Sequence, residues 1–147
     1  MDYELIANQL SVKDFLKLRK SVGWELLPEN QIEAGLKNSI FSVVAISNNQ
    51  VIGMGRIVGD GFMICCIYDV IVLPEFQGKG IGKAIMNRLI TFIRDNSLPG
   101  TCVTTGLFSR KDKEPFYEKC GFYIRPNDKK GAGMEIRIKS KLDVLNQ

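Results

Sequence analysis

The chain contains no histidine. That excludes Ser-His-Asp and Cys-His catalytic systems and the common zinc sites that need an imidazole. Proton transfer must then run through a carboxylate, tyrosine, cysteine, lysine or water, and no metal is expected. No apolar run approaches the roughly 18 residues that a membrane helix needs. Nothing near the N-terminus reads as a charged segment followed by an apolar one. The expectation is a cytoplasmic protein with no membrane partner. Cysteine is scarce: Cys65, Cys66, Cys102 and Cys120 form no C-x-x-C pair and lie in apolar surroundings, as reduced, mostly buried thiols do. Charge of one sign is also weak. Twenty Lys and Arg against 16 Asp and Glu leave +4, too little and too scattered for a nucleic-acid partner but suited to a polyanionic small ligand.

The 147 residues are 45% hydrophobic, enough for one domain with a proper core. We expect a single domain over residues 1–140 and a tail over 141–147. Tyr3–Ala7 predicts a short strand, and Val12–Val22, capped by Ser11, an amphipathic helix. After a break at Gly23–Pro28, a second helix is expected over Pro28–Asn38. Phe41–Ser47 and Val51–Val58 read as a hairpin around Asn48–Gln50. Beyond the turn Gly59–Gly61, Phe62–Leu73 is nearly all apolar, as in a strand buried on both faces, and Pro74 ends it. Gly80–Asn96 carries Ile81, Ile85, Leu89 and Ile93 every four residues, the stripe of a helix packed on a sheet. Thr101–Phe108 predicts a strand and Asp112–Cys120 a short helix stopped by Gly121. Phe122–Arg125 and Met134–Lys139 are expected as closing strands. The sum is an α+β fold, an α/β sandwich around a mixed sheet flanked by about four helices.

Between the apolar strand and the long helix stands Gln77-Gly78-Lys79-Gly80-Ile81-Gly82-Lys83. It is not a Walker loop, which would need Gly at 77 and Ser or Thr at 84 where Gln77 and Ala84 stand. It is not a dinucleotide fingerprint, which would need Gly at 83 where Lys83 stands. Its physical content survives both failures. A helix N-terminus offers unpaired N–H groups and partial positive charge, glycines allow a phosphate close approach, and Lys79 and Lys83 add charge. A diphosphate would fit. The alternative is a glycine-rich turn used only for tight packing.

Gln77–Gly82 resembles the Q/R-x-x-G-x-G/A signature of the GNAT superfamily of N-acetyltransferases. Asp69-Val70-Ile71-Val72-Leu73-Pro74 is similar to the strand that leads into it. Phe116-Tyr117-Glu118-Lys119-Cys120-Gly121-Phe122 is similar to that superfamily's F/L-Y-E-K-x-G-F segment. The resemblance covers residues 3–139 and implies a splayed sheet and transfer of an acetyl group from acetyl-CoA to an amine. The N–H groups of Gly78, Lys79, Gly80, Ile81, Gly82 and Lys83 would hold the pyrophosphate, with Gln77 part of the same turn. The backbone of Val70, Ile71 and Val72 would hold the pantetheine arm, and the N–H of Ile71 or Val72 would polarise the thioester carbonyl. Tyr117 would contact the cofactor sulfur and protonate the leaving thiolate; the alternative is an aromatic that merely packs on the sheet. Asp69 is the candidate to accept the amine proton or hold a cationic substrate, against a structural aspartate bonded to loop N–H groups.

On the acceptor side, Trp24 and Tyr68 are substrate candidates beside Asp69, with Asp60 and Glu75 weaker. Where many members carry a cofactor-contacting asparagine, this chain has Arg110 after Ser109. Gly55–Asp60, Tyr68–Val70, Arg125-Pro126 and Gly131–Met134 extend the similarity to small bacterial members and to plant arylalkylamine (serotonin) acetyltransferases. That implies a small primary amine as acceptor, an arylalkylamine being the example. The rival readings are a protein or peptide amine acetyltransferase and a CoA-binding module without activity. A homodimer is a further partner compatible with the resemblance.

Overall fold

The structure, a computed structural model, describes residues 1–141. Most of the expected tail therefore lies outside the described residues. Five strands form one mixed sheet in the order β1-β2-β3-β4-β5: β1 Glu4–Ala7, β2 Phe41–Ser47, β3 Gln50–Gly59, β4 Ile64–Val72 and β5 Thr104–Leu107. The helices are α1 Val12–Ser21, α2 Glu29–Lys37, α3 Ile81–Asn96 and α4 Glu114–Lys119, with a 3-10 turn at Pro74–Phe76. The first four strands pair antiparallel and β5 joins β4 in parallel. Among the described residues no helix is long and apolar enough to cross a membrane.

Local chemistry sets the ends of these elements. Ser11 caps α1 by accepting the N–H of Asp14 at 3.1 Å. Pro28 stands before α2 as its N-cap rather than inside it. The stripe read from the sequence is the buried face of α3, with Ile81, Ile85, Met86, Leu89 and Ile93 in the core. Each such side chain contributes roughly 1.5–3 kcal/mol of burial. On that face Phe41 stacks on Phe92 with ring centroids 4.1 Å apart. Ile57 pairs with Phe41 across the strands and shares the face. Side chains alternate along a strand, so Arg56 points to the opposite face, where α1 lies.

Three expectations need correction. Of the four cysteines only Cys65 is buried; Cys66 and Cys120 are half-buried and Cys102 is exposed, because it lies in the loop before β5. Phe62–Leu73 is not buried on both faces. Phe62, Met63 and Ile64 are exposed, and from Cys65 to Ile71 buried and half-buried residues alternate, because each face of this part of β4 is covered over only part of its length. The closing strands are also absent among the described residues: Phe122–Arg125 and Met134–Lys139 pair with nothing. Alternating polarity makes a segment able to pair, but a strand exists only when an edge receives it.

Candidate active site

Two irregularities in β4 create the site. Met54 pairs with Ile71 and Arg56 with Tyr68, so the single Gly55 faces both Asp69 and Val70. This is a β-bulge, and Asp69 takes the left-handed conformation it requires, with φ 57°. The second irregularity is on the other edge. β5 pairs only with Ile64–Ile67, and from Tyr68 to Val72 β4 has no neighbouring strand there among the described residues. The sheet splays, and a cavity of about 650 Å³ opens along the free edge.

The alternation of a strand says which groups face this gap. Leu73 donates its N–H to Ile52 of β3 at 2.8 Å. Successive residues aim their N–H groups at opposite edges, so that of Val72 faces the gap and that of Ile71 faces β3. The Val72 carbonyl accepts from Gln77 Nε2 at 2.9 Å. Gln77 thereby ties the glycine turn to the end of the strand.

In the turn, Gly78 and Gly80 have φ 76° and 84°, and a Cβ on either would meet open space. Their lack of a side chain serves the backbone conformation and leaves the approach clear. Gly82 differs: a Cβ there would lie 3.3 Å from the Phe116 ring, so it sets the packing of α3 on α4. The first helical bond runs from Ala84 N to Gly80 O, and the N–H groups of Gly78 to Lys83 find no acceptor among the described residues. Five of these six residues, all but Lys79, line the cavity, and the positive end of a 16-residue helix lies at it.

Nearly every residue expected from the sequence lines it: Trp24, Tyr68, Asp69, Val70, Ile71, Val72, Gln77, Gly78, Gly80, Ile81, Gly82, Lys83 and Tyr117. Lys79 does not; its ammonium sits 5.5 Å above the Phe76 ring. Glu75 is also outside the lining. Asp60 instead builds the β3–β4 turn, accepting the N–H groups of Phe62, Met63 and Ile64. Those three bonds hold its carboxyl below the usual range, that from Phe62 contributing most.

Arg19, Phe108, Arg110, Lys113 and Lys119 complete the walls without having been singled out as lining residues. The lining carries Arg19, Lys83, Arg110, Lys113 and Lys119 against one acid, Asp69. Both oxygens of that acid are engaged: Arg19 Nη1 donates at 2.9 Å and Arg56 Nε at 2.7 Å. Arg19 itself is sandwiched by the Phe15 and Trp24 rings, at 5.5 and 5.3 Å. At the same end Arg110 Nη1 donates to Val22 O at 3.3 Å, joining the β5–α4 loop to the α1–α2 loop.

Tyr117 lies between Phe116 and Phe122, edge-on to both. Burial, and to a lesser degree the nearby Cys120, pushes its phenol above the ordinary tyrosine range. Burial likewise pushes the Cys120 thiol up. Among the described residues no cluster of His, Cys, Asp or Glu could hold a metal.

The free amides, the excess of basic side chains and the unpaired strand edge fit an elongated ligand with an anionic head and a polar, hydrogen-bonding arm. Comparison with known proteins names the class. Residues 38–124 match the acetyltransferase (GNAT) domain family. An uncharacterized N-acetyltransferase, ycf52, of the red alga Pyropia yezoensis is 32% identical over 135 residues, covering 88% of this chain and 75% of its own. A solved GNAT-family acetyltransferase from Streptococcus pneumoniae superposes with a TM-score of 0.78 at 26% identity, covering 95% of this chain and all of its own. A soybean protein named histone acetyltransferase TAP1 is 31% identical, covering 83% of this chain and 56% of its own. The chain belongs to the GNAT acetyltransferase family. It is an acetyltransferase, and enzymes of this family use acetyl-CoA.

Proposed function

We propose that this enzyme acetylates a primary amine of a small molecule with an aromatic or apolar body. The observation that carries this reading is the hydrogen bond from Arg110 to Val22 O. It bridges two loops over the acceptor end of the cavity, where Trp24, Tyr68 and Phe108 supply aromatic walls. A lysine tail presented by a folded protein needs an open groove at that end, and the bridge narrows it.

Acetyl-CoA, when bound, supplies the activated thioester. The chain's own residues then divide the work. The amides of Gly78 to Lys83 hold the pyrophosphate, as their lack of internal acceptors supports. The free edge of β4 orients the pantetheine arm. The gap-facing N–H of Val72, rather than that of Ile71, polarises the carbonyl oxygen. The Tyr117 hydroxyl makes no hydrogen bond among the described residues and keeps its proton at neutral pH, so it can deliver that proton to the leaving sulfur. Asp69 holds Arg19 and the bulge in place. With both oxygens engaged, it leaves the amine proton to water. No unpaired carboxylate lines the acceptor end to capture an ammonium, and the acceptor reacts as the neutral amine.

The test is incubation with acetyl-CoA and a panel of arylalkylamines, polyamines, aminoglycosides, amino acids and lysine peptides, with acetylated products read by mass. Acetylated arylalkylamines support the reading. Acetylation of lysine peptides with no small-molecule product would sink it.

A further inference from the structure

Guanidiniums take both oxygens of Asp69, yet one carboxylate cannot neutralise two cations. The cluster of Arg19, Arg56 and Asp69 therefore carries one positive charge in excess. Its side chains are only 14%, 17% and 7% exposed. A charge held that far from water calls for a counter-ion, and the described residues do not supply one. Glu25 accepts from Arg19 Nε at 2.9 Å, but with its main-chain oxygen. Its carboxylate pairs with Arg137 at 3.0 Å instead.

The surroundings of Arg19 show where a counter-ion would sit. The rings of Phe15 and Trp24 hold its guanidinium between them. Nε and Nη1 are engaged by Glu25 O and Asp69. Nη2 has no partner among the described residues, and among them no buried side-chain nitrogen is left unpaired. The Nη2 edge therefore meets open space. Arg19 lines the active-site cavity, and the cavity is the open space beside it.

A second guanidinium is tied to the same place. The Arg19 carbonyl accepts the N–H groups of Val22 and Trp24, at 3.3 and 3.0 Å. The Val22 carbonyl in turn accepts from Arg110 Nη1 at 3.3 Å. Arg110 forms no ion pair among the described residues. The two arginines are thus joined through the start of the α1–α2 loop. The other cations of the lining belong elsewhere: Lys83 to the first turn of α3, Lys113 and Lys119 to the ends of α4. Aromatic rings stand at the arginine end, where Tyr68 and Phe108 have centroids 6.1 Å apart.

We infer that the acceptor carries an acidic group, a carboxylate or a phosphate, and that Arg19 and Arg110 hold it. This rests on the small-amine reading above and names the substrate class within it: an aromatic primary amine with an anionic far end. A guanidinium edge presents parallel N–H donors, which match two oxygens of a carboxylate or phosphate. Position along β4 sets the spacing. Arg19 is anchored at Asp69, and the N–H assigned to the thioester carbonyl is that of Val72. The two residues lie on one strand, roughly 10 Å apart in extended form. The acid therefore stands away from the reacting amine by about the length of an aromatic ring with a short chain. An α-amino acid, with both groups on one carbon, does not span that distance. A polyamine meets charge of its own sign at this end.

The experiment compares 4-(2-aminoethyl)benzoate with its methyl ester, which keeps the ring and the amine but lacks the charge. The full chain is given acetyl-CoA, products are read by mass, and rates are compared at equal concentrations of neutral amine. The acid should be favoured in kcat/KM by about tenfold or more, the range for hydrogen bonds to a charged group. Phenylalanine should trail the acid. Tyramine phosphate distinguishes the two anions, and its preference over the benzoate would support the same anchor with a phosphate as the natural group. Arg19→Lys keeps a charge but loses the fork. It and Arg110→Gln should each bring the ratio of acid to ester toward one. That ratio is taken within one variant, so a general loss of activity does not imitate the effect. If Arg19→Lys fails to fold, Arg110→Gln decides. Trp24, the only tryptophan, gives a readout without turnover. With CoA bound and no acetyl group to transfer, its fluorescence should respond to the acid at lower concentration than to the ester. Acid and ester acetylated equally well would overturn this inference and leave the small-amine reading standing. An acid preference unchanged in both variants overturns it too, since the anchor then lies elsewhere. Acetylation of lysine peptides alone removes the reading beneath it, and the inference with it.

Discussion

The Nε of Arg56 lies 2.7 Å from Oδ2 of Asp69, and that aspartate, 9% exposed, shares its other oxygen with Arg19. One carboxylate thus holds two guanidinium groups at the bulge where the sheet opens. Removing its charge leaves both cations without a counter-charge in a half-dry place, held only by Glu25 O and Ser39 Oγ. Asp69→Asn should cost about 3 kcal/mol, the lower end for breaking a buried pair. Asp69→Ala should cost about 1 kcal/mol more, because alanine tolerates the left-handed φ less well than asparagine. Urea unfolding of the two variants checks the order. Equal losses would mean that the bulge adds no constraint.

Tyr117→Phe removes one oxygen that none of the described residues binds. The fold and the affinity for acetyl-CoA should be unchanged, while kcat falls by about 100-fold or more, the usual range for a lost general acid. Since burial raises the phenol, the alkaline limb of kcat should begin above the ordinary tyrosine value of about 10. Steady-state kinetics with both substrates varied separates the terms. A drop in acetyl-CoA affinity with kcat preserved would assign Tyr117 to binding alone.

Gly80→Ala places a Cβ in open space but at φ 84°. It should lower stability by about 1 kcal/mol and weaken acetyl-CoA, because the first turn of α3 shifts its amides. Gly80→Asn should be milder, as asparagine visits this region more readily. Calorimetric titration with CoA and thermal unfolding test both effects. Unchanged CoA affinity in Gly80→Ala would argue that the turn is only a packing device.

Asp60 offers a pH test away from the site. Its folded pKa is depressed by three N–H donors, so its contribution to stability is present above the unfolded value of about 4 and fades as pH falls through the lower folded value. The wild type should therefore lose stability on acidification more steeply than Asp60→Ala, which has no such group to protonate. Urea midpoints at neutral and acid pH report the difference. Parallel curves would show that the turn does not depend on the charge.

The acceptor's protonation gives a kinetic counterpart. With Asp69 engaged by two guanidiniums, kcat/KM for the amine should rise with pH toward the amine's own pKa and track that pKa across acceptors of different basicity. A profile that keeps the same pKa for every acceptor would point to a protein base.

Most of the architecture was legible because it rests on local periodicity. The four-residue stripe of α3, the hairpin of β2 and β3 and the Ser11 cap follow from spacing alone. The strand-to-helix turn at Gln77–Lys83 was legible for a similar reason: glycine at 78 and 80 permits a backbone that other residues resist, and a helix follows at once. Lys79 stands outside the cavity lining because its stem folds back over Phe76, which the sequence cannot show. Arg19 and Arg56 carried no signal. One is a basic residue near a helix end, the other a charge in a strand, and only the fold carries them over the 50 and 13 residues that separate them from Asp69.

By itself the sequence determined the class of each element from β1 to α4, the absence of histidine chemistry and the location of the glycine turn. These depend on neighbours within a few residues. Tertiary structure decided what β4 presents to its open edge, which partners neutralise Asp69, and whether Met134–Lys139 finds a sheet. Those outcomes depend on contacts between segments far apart in the chain, and an alternating strand reads the same whether its edge lies in its own fold, in another copy or nowhere.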